Sequence, residues 1–113
     1  MASQPAPTLL TVAQVSERLG LTPSRVHRLI EDRALLATGS GPGLRIPDAF
    51  IRGDQPLAHL AGTVTLLIDG GFDEQSALEW LLDDHEALGT SPATALAEGR
   101  KTEVRRIAQA LAL

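Results

Sequence analysis

The 113-residue sequence predicts a mainly α-helical fold, and three observations lead to this prediction. Apolar residues recur at helical spacing along most of the chain, in segments that begin at a capping residue or a proline. The first two of these segments are separated by only two or three residues. A Gly/Pro-rich loop between two short apolar stretches follows them, which is the pattern of a β-hairpin. Together these features predict a winged helix-turn-helix with a small β-hairpin wing, followed by a C-terminal helical bundle.

The first helix is predicted to span residues 11–19. Thr11 and Gln14 have the spacing of a capping box, in which the threonine hydroxyl and the glutamine side chain satisfy each other's backbone amides. Gly20 suits the left-handed residue that ends a helix. The helix therefore has both a start and a stop signal in the sequence.

The second helix is predicted to run from Thr22 to about Arg33. Thr22 supplies a capping hydroxyl, and Pro23 stands at the first helical position, where its missing N–H costs nothing. A buried stripe of Val26, Leu29 and Ile30 leaves Ser24, Arg25, His27, Arg28 and Glu31 on the outer side.

The wing is predicted from two short strands, Leu35–Thr38 and Leu44–Pro47, that flank the loop over residues 39–43. Side chains alternate along a strand, so Arg45 lies on the opposite face from its apolar neighbours. We expect residues 48–54 to form a short helix or turn. The later helices are predicted at residues 56–69, 73–82, 91–96 and 101–111.

These elements divide the chain into three predicted parts. We expect a disordered tail over residues 1–8, because it is rich in Pro, Ala and Ser and has no apolar period. The winged helix-turn-helix domain follows over residues 9–53, and a C-terminal helical domain over residues 54–113. Trp80 and the apolar faces of the later helices are assigned to the core.

Composition narrows the classes of function. Cysteine is absent, which excludes a disulfide framework and a thiol nucleophile. No signal-peptide pattern and no apolar run of about 20 residues is present, so we expect a cytoplasmic protein. The net charge is −4, divided unevenly: residues 1–54 carry six Arg against five acids, and residues 55–113 carry four bases against nine acids. Such an acidic remainder repels phosphate, so non-specific nucleic-acid affinity should be modest.

The outer face of the second helix is the strongest candidate binding site. A recognition helix presents its N-terminal side chains to base edges in the major groove, where arginine matches guanine and small hydroxyls grip phosphate. We therefore predict a double-stranded DNA interface, unless this is simply a solvated helix face. Its candidate residues are Thr22, Ser24, Arg25, His27 and Arg28, together with Arg45 of the wing, which is either a backbone or minor-groove contact or part of an ordinary polar hairpin.

No pattern in the sequence supports catalysis or a cofactor. The run Asp83-Asp84-His85 lies at a predicted helix end, where adjacent carboxylates point in different directions, so we assign no metal site. The histidines show no nucleophile–base arrangement, so the chain is predicted not to be an enzyme. A basic set near the C-terminus is expected either to contact DNA phosphates or to pair with the acidic run 83–86, or simply to be solvated: Arg100, Lys101, Arg105 and Arg106.

Over residues 9–113 the chain resembles a family of small actinobacterial winged helix-turn-helix DNA-binding proteins that have a C-terminal helical domain of unknown function. Of the segments that carry this resemblance, residues 11–20 are shared with many MerR-like and excisionase-like domains, and the later segments are more specific. The resemblance implies a regulator-like DNA-binding role, and it makes Thr8 the candidate for a phosphorylated tail threonine. The segments are 11–20, 62–72, 79–82, 92–96 and 103–111.

The C-terminal half also looks like the toxin-binding domain of Xre/ParS-type antitoxins. The matching pattern is Gly89, Pro92, Leu96, Gly99 and Val104. This likeness implies an alternative function, in which the C-terminal helices bind a partner protein and the helix-turn-helix is only a scaffold. A homodimer formed through the same helices is a further expectation. Neither resemblance brings a catalytic motif.

Overall fold

The computed structural model describes residues 8–111, and it confirms the mainly α-helical fold with a winged helix at one end and further helices behind it. Two 3-10 turns, Gly41–Gly43 and Asp48–Phe50, and two small antiparallel sheets complete the described part. The helices are α1 (Val12–Leu19), α2 (Pro23–Glu31), α3 (Leu60–Asp69), α4 (Glu74–Leu82), α5 (Pro92–Ala97) and α6 (Lys101–Leu111). The strands are β1 (Leu9–Leu10), β2 (Ile46–Pro47), β3 (Ile51–Arg52) and β4 (Gln55–Pro56).

Helix α1 begins with the capping box that the sequence predicts. The Thr11 hydroxyl accepts a hydrogen bond from the Gln14 amide at 3.1 Å, and the Gln14 side chain accepts one from the Thr11 amide at 2.8 Å. The helix ends at Gly20, whose φ of +68° is left-handed and therefore favours glycine. The Ser16 hydroxyl donates to the Leu21 carbonyl and ties the short turn back onto α1.

Helix α2 ends two residues earlier than predicted. The Thr22 hydroxyl accepts a hydrogen bond from the Arg25 amide at 3.2 Å, as expected of an N-cap. The helix stops at Glu31 because Arg33 turns to a φ of +62°, and the amides of the next two residues then both donate to the Leu29 carbonyl. This left-handed step redirects the chain into the wing.

The predicted wing hairpin is confirmed near its tip, but it is much shorter than predicted, because the strands over residues 35–38 and 44–47 do not pair along their length. Only Thr38 and Arg45 pair, through two backbone hydrogen bonds of 2.8 Å, in an isolated bridge. Leu35 and Leu36 are buried in the core instead of extending the hairpin. Strand β2 pairs instead with β1, and Leu10 lies opposite Ile46. Apolar side chains that face each other in this way stabilise an antiparallel strand pair.

The prediction of a short helix or turn over residues 48–54 is confirmed at Asp48–Phe50 and at residues 53–54, but the predicted helix start at Pro56 is wrong. Residues 51–56 form the β3–β4 hairpin, and the Leu57 amide extends it by donating to the Phe50 carbonyl at 2.8 Å. Pro56 therefore lies in a strand and does not open the next helix, which begins at Leu60 after the left-handed His59. The turn of this hairpin contains the predicted domain boundary between residues 53 and 54.

The remaining helices begin close to where their capping residues predict. The Asp73 carboxylate accepts a hydrogen bond from the Ser76 amide at 2.8 Å, and this bond lowers the pKa of Asp73 below its usual value. The Ser91 hydroxyl caps α5 in the same manner, with Pro92 at the first helical position. Trp80 is buried on α4, in agreement with its assignment to the core.

The buried apolar residues form one continuous cluster that extends from Val15 on α1 to Ala108 on α6. Phe50 is fully buried, and the 3-10 turn that carries it contacts α5. The hydrophobic core is therefore shared between the helix-turn-helix and the C-terminal helices. The division into separate domains remains a prediction from the sequence.

Because Phe50 belongs to this shared core, Phe50→Ala should lower the free energy of unfolding by about 3–5 kcal/mol, the usual result of emptying a buried aromatic site. Chemical denaturation followed by Trp80 fluorescence and by circular dichroism should show one coincident, weakened transition. Leu9→Ala is the control, since this leucine is 45% exposed and its loss should change the stability little. Two separate transitions, with only one of them shifted, would contradict a shared core.

Candidate nucleic-acid interface

Helix α2 separates its apolar and polar side chains cleanly. Val26 is fully buried against α1, and Leu29 and Ile30 are half-buried beside it. Four predicted site residues are all exposed on the outer side: Ser24, Arg25, His27 and Arg28. At 100° per residue, Ser24, Arg25 and Arg28 share one side of the helix, and His27 lies at its margin.

Three of these side chains, those of Ser24, Arg25 and Arg28, line a shallow concavity of about 480 Å³. Ser24, Arg25 and Arg28 contribute its polar lining, and Leu21 and Leu29 contribute apolar atoms. The two guanidinium groups form no ion pair or hydrogen bond with any residue between 8 and 111. The surface therefore offers free, fork-shaped donors beside apolar contacts, a combination that suits guanine edges and thymine methyl groups.

Leu21 was not among the predicted site residues. It lies in the turn between α1 and α2, and its position in the sequence suggested only a connection. The carbonyl of Leu21 is held by the Ser16 hydroxyl, which fixes the residue at the edge of the concavity. A leucine directly before a capping threonine was the available signal, because a residue at that position flanks the first turn of the second helix.

Thr22 has a structural task within the candidate interface. Its hydroxyl oxygen accepts the Arg25 amide, so the residue fixes the start of α2. The side chain is exposed, and its hydroxyl hydrogen is directed to no acceptor among the described residues. Thr22 is thus able to cap the helix and to donate to a phosphate at the same time.

The wing loop is held together by Arg45. The Nη1 of Arg45 donates to the carbonyls of Pro42 at 3.0 Å and Leu44 at 2.8 Å. Gly39 has a φ of +79°, and a Cβ atom built on it would lie only 2.5 Å from the Gly43 carbonyl oxygen. The half-buried Arg45 therefore braces the tip from inside, while its Nε and Nη2 donors remain uncommitted among residues 8–111.

In addition to the shared hydrophobic core, three polar side-chain contacts among the described residues link the helix-turn-helix and the wing to neighbouring elements. The Arg18 Nε donates to the Gly53 carbonyl at 2.9 Å, which links α1 to the β3–β4 turn. Hydrogen-bonding distances of 3.3 Å between the side chains of Thr38 and Gln75, and of 3.5 Å between those of Arg33 and Glu74, link the base of the wing to α4. Exposed contacts of this kind contribute little stability, but they fix orientation.

Thr8, the predicted phosphorylation site, lies beside the β1–β2 sheet. Thr8 is exposed, and its carbonyl accepts the Asp48 amide at 2.9 Å, so this residue is attached to the sheet side of the fold. Residues 1–7, the rest of the predicted disordered tail, lie outside the described residues. Phosphorylation of Thr8 stays a prediction.

The acidic run at the end of α4 does not gather a metal-binding set. Asp83 is the C-cap of α4, and the ring of His85 contacts the ring of Trp80 with 4.9 Å between their centroids. Within residues 8–111, no three His, Asp or Glu side chains are grouped as metal ligands would be. In the same span, no helix is both long and apolar enough to cross a membrane.

Arg100, the first residue of the C-terminal basic set, pairs with acids other than the run 83–86. It forms ion pairs with Glu98 at 3.2 Å and Glu103 at 2.9 Å, and it donates to the Leu88 carbonyl. The hydrogen bonds from Arg100 lower the pKa of Glu103, and those to Glu103 and Glu98 raise the pKa of Arg100. Arg100 is thus a structural residue that joins α5, α6 and the loop before them.

Comparison with known proteins agrees with this geometry in both halves of the chain. Residues 3–51 match the family described as "DNA-binding protein Rv2175c, wHTH domain", and residues 57–112 match "Rv2175c C-terminal domain of unknown function". The DNA-binding protein Rv2175c of Mycobacterium tuberculosis is 30% identical over 112 aligned residues, which cover 88% of this chain and 77% of that protein.

A solved structure supports the same relationship. The NMR structure of Rv2175c superimposes with a TM-score of 0.83 at 27% sequence identity, over 100% of this chain and 86% of that one. The two family matches also occur in the order in which the structure arranges the helix-turn-helix and the C-terminal helices. The chain therefore belongs to this family of DNA-binding proteins, which join a winged helix-turn-helix domain to a C-terminal domain of unknown function.

Proposed function

We propose that the chain is a double-stranded DNA-binding protein, sequence-specific or architectural, that regulates transcription. Helix α2 lies in the major groove, and the wing loop lies on the backbone or in the minor groove. The observation that carries this proposal is the outer face of α2, where Arg25 and Arg28 are exposed, one turn apart, and without any partner among residues 8–111. Two free arginines so close together repel each other, and a polyanion relieves that repulsion.

The positions of the side chains on α2 give each of them a different role in the proposed interface. Arg25 and Arg28 project from the side that also carries Ser24, so all three reach the same groove. Bidentate donation from an arginine to guanine O6 and N7 discriminates against other bases by about 1–3 kcal/mol. Thr22 and Ser24, at the start of the helix, are placed to donate to backbone phosphates, and His27 contacts the groove wall.

The wing contributes a second point of attachment. Arg45 holds the 39–43 loop in one shape through its Nη1 contacts and has donors left for phosphate oxygens. A loop that is already rigid loses little conformational entropy when it binds. We therefore assign to the wing a positioning role, in which it fixes the register of α2 without reading sequence.

A single helix-turn-helix gives a small footprint, so tight specific binding requires a second module. We propose that the second module is another copy of this chain or a partner protein, held through the C-terminal helices. Binding to chromosomal DNA places the protein on the nucleoid in the cytoplasm.

The double variant Arg25→Ala/Arg28→Ala should weaken duplex binding at least tenfold and reduce the steepness of its salt dependence, because two cations leave the interface. Fluorescence anisotropy with a labelled duplex at several salt concentrations measures both quantities. Arg106→Ala is the matched control, since it removes an exposed arginine from α6, and its effect should stay within about twofold.

The target is best found by selecting bound fragments from random duplex DNA. A palindromic motif would support a two-fold dimer, and a single short motif would support a monomer aided by a partner. If the parent protein shows no salt-sensitive duplex binding at all, the proposal is wrong.

The wing is tested by a pair of glycine variants. Gly39→Ala should distort the loop and weaken duplex binding severalfold, because the new Cβ meets the Gly43 carbonyl oxygen. Gly41→Ala is the control: Gly41 also has a positive φ, of +54°, but its Cβ would meet nothing within 4 Å. The control should lose about 1–2 kcal/mol of folding stability, the cost of a left-handed alanine, and should keep the duplex affinity of the parent. Equal duplex affinities for the two variants would argue against a role for the wing.

A further inference from the structure

A second concavity, of about 360 Å³, lies between α3 and α6 and shares no lining residue with the α2 interface. Helix α6 lines it with Lys101, Thr102 and Arg105, and α3 lines it with Gly62 and the preceding His59. None of its lining residues is acidic. This is unexpected, because residues 53–99 contain nine acids and no lysine or arginine.

Lys101 and Arg105 are the cations that set this concavity apart. They are four residues apart on α6, so they share one face of the helix. Neither forms an ion pair or a hydrogen bond with any residue of the described part of the chain. The neighbouring Arg100 forms ion pairs with both Glu98 and Glu103. The two acids at this end of α6 are therefore paired with Arg100 and not with Lys101 or Arg105.

The α3 wall adds donors and leaves room for a ligand. His59 has a left-handed φ of +67°, uncommon for a residue with a side chain, and it does not cap α3 through its ring. The amides of Ala61 and Gly62 consequently have no acceptor within residues 8–111. Gly62 carries no side chain, and a Cβ atom there would face open space. Free amides at a helix start favour an anion that the cations have already attracted.

We propose that this concavity binds a small ligand with a phosphoryl group, and that Lys101 and Arg105 hold the phosphoryl oxygens. The Thr102 hydroxyl and the Gly62 amide add neutral donors. A volume of about 360 Å³ is at the lower end of the range for small-molecule sites, which fits a phosphate with a modest organic group. The nine acids between residues 53 and 99 oppose a long polyanion such as DNA here, whereas two local cations suffice for a small dianion.

The test is a titration of the full chain, labelled with nitrogen-15, with inorganic phosphate and separately with adenosine monophosphate, while amide shifts are recorded. Saturable shifts confined to residues 59–66 and 100–106 with either probe support the proposal, and the stronger probe tells whether the organic group is recognised. Adenosine, which lacks the phosphoryl group, should cause none of these shifts. Absence of saturable shifts with both probes overturns the proposal.

Substitutions distinguish a specific binding site from non-specific electrostatic attraction of the ligand. Lys101→Ala/Arg105→Ala should weaken binding of the better probe at least tenfold, and Arg106→Ala, on the same helix but outside the concavity, should leave it within twofold. Gly62→Ala keeps the helix and should weaken binding a few-fold by narrowing the cleft. Equal losses in the Arg106 variant and the double variant would overturn the proposal.

The site does not depend on the proposed DNA-binding function, and one measurement keeps the two apart. Lys101→Ala/Arg105→Ala should leave duplex affinity within twofold of the parent, whereas Arg25→Ala/Arg28→Ala should leave phosphate binding unchanged. If the α6 variant instead weakens duplex binding as much as the α2 variant does, the cations belong to a DNA footprint and the small-ligand proposal is wrong.

Discussion

The burial of Phe50, with Ile46 before it and Ile51 after it, is the interaction on which the rest of the structure depends. All three are buried, and Ile46 and Phe50 are completely so. Strand β2 brings β1 to one side of this segment, the 3-10 turn contacts α5 on another, and the Phe50 carbonyl holds the start of the approach to α3. Removing a side chain of this size from water contributes about 1.5–3 kcal/mol. The orientation of the helix-turn-helix is consequently determined by the C-terminal helices as much as by its own residues.

Helix boundaries could be predicted from the sequence wherever a capping residue stands next to a segment with apolar residues at helical spacing. The start of α1 at Thr11, its end at Gly20 and the start of α2 at Thr22 all follow from side chains within four residues of one another. The exposed face of α2 follows for the same reason, since a buried Val26 leaves Arg25 and Arg28 no direction except outward. This part of the candidate interface was therefore predictable from the sequence alone.

The features that depend on distant residues were not predictable. Nothing in residues 44–47 indicates that they pair with Leu9–Leu10, and the helical spacing that begins at Leu57 hides the fact that this residue still belongs to a hairpin. Arg45 was predicted only to lie on the opposite strand face from its apolar neighbours, and its contacts with Pro42 and Leu44 depend on how the tip of the loop folds back. The concavity between α3 and α6 joins residues about 40 positions apart, which no local pattern reveals.

Charge is arranged to complement these two candidate sites. Uncompensated cations occur on α2 and at the concavity of α6, while the acids are concentrated between residues 53 and 99. Because the acids repel phosphate, a polyanion is favoured at α2 and disfavoured at α4.

The shared core joins the elements that line the concavity between α3 and α6 to those that support the candidate interface on α2. A ligand that binds only the folded chain stabilises all of it, because α3 and α6 contribute to the same cluster that supports α1 and α2. Coupling between two binding sites is reciprocal, so a phosphorylated ligand changes duplex affinity only to the extent that the duplex changes affinity for the ligand. The contacts of Thr38 and Arg33 with α4 also join the wing and the end of α2 to the C-terminal helices.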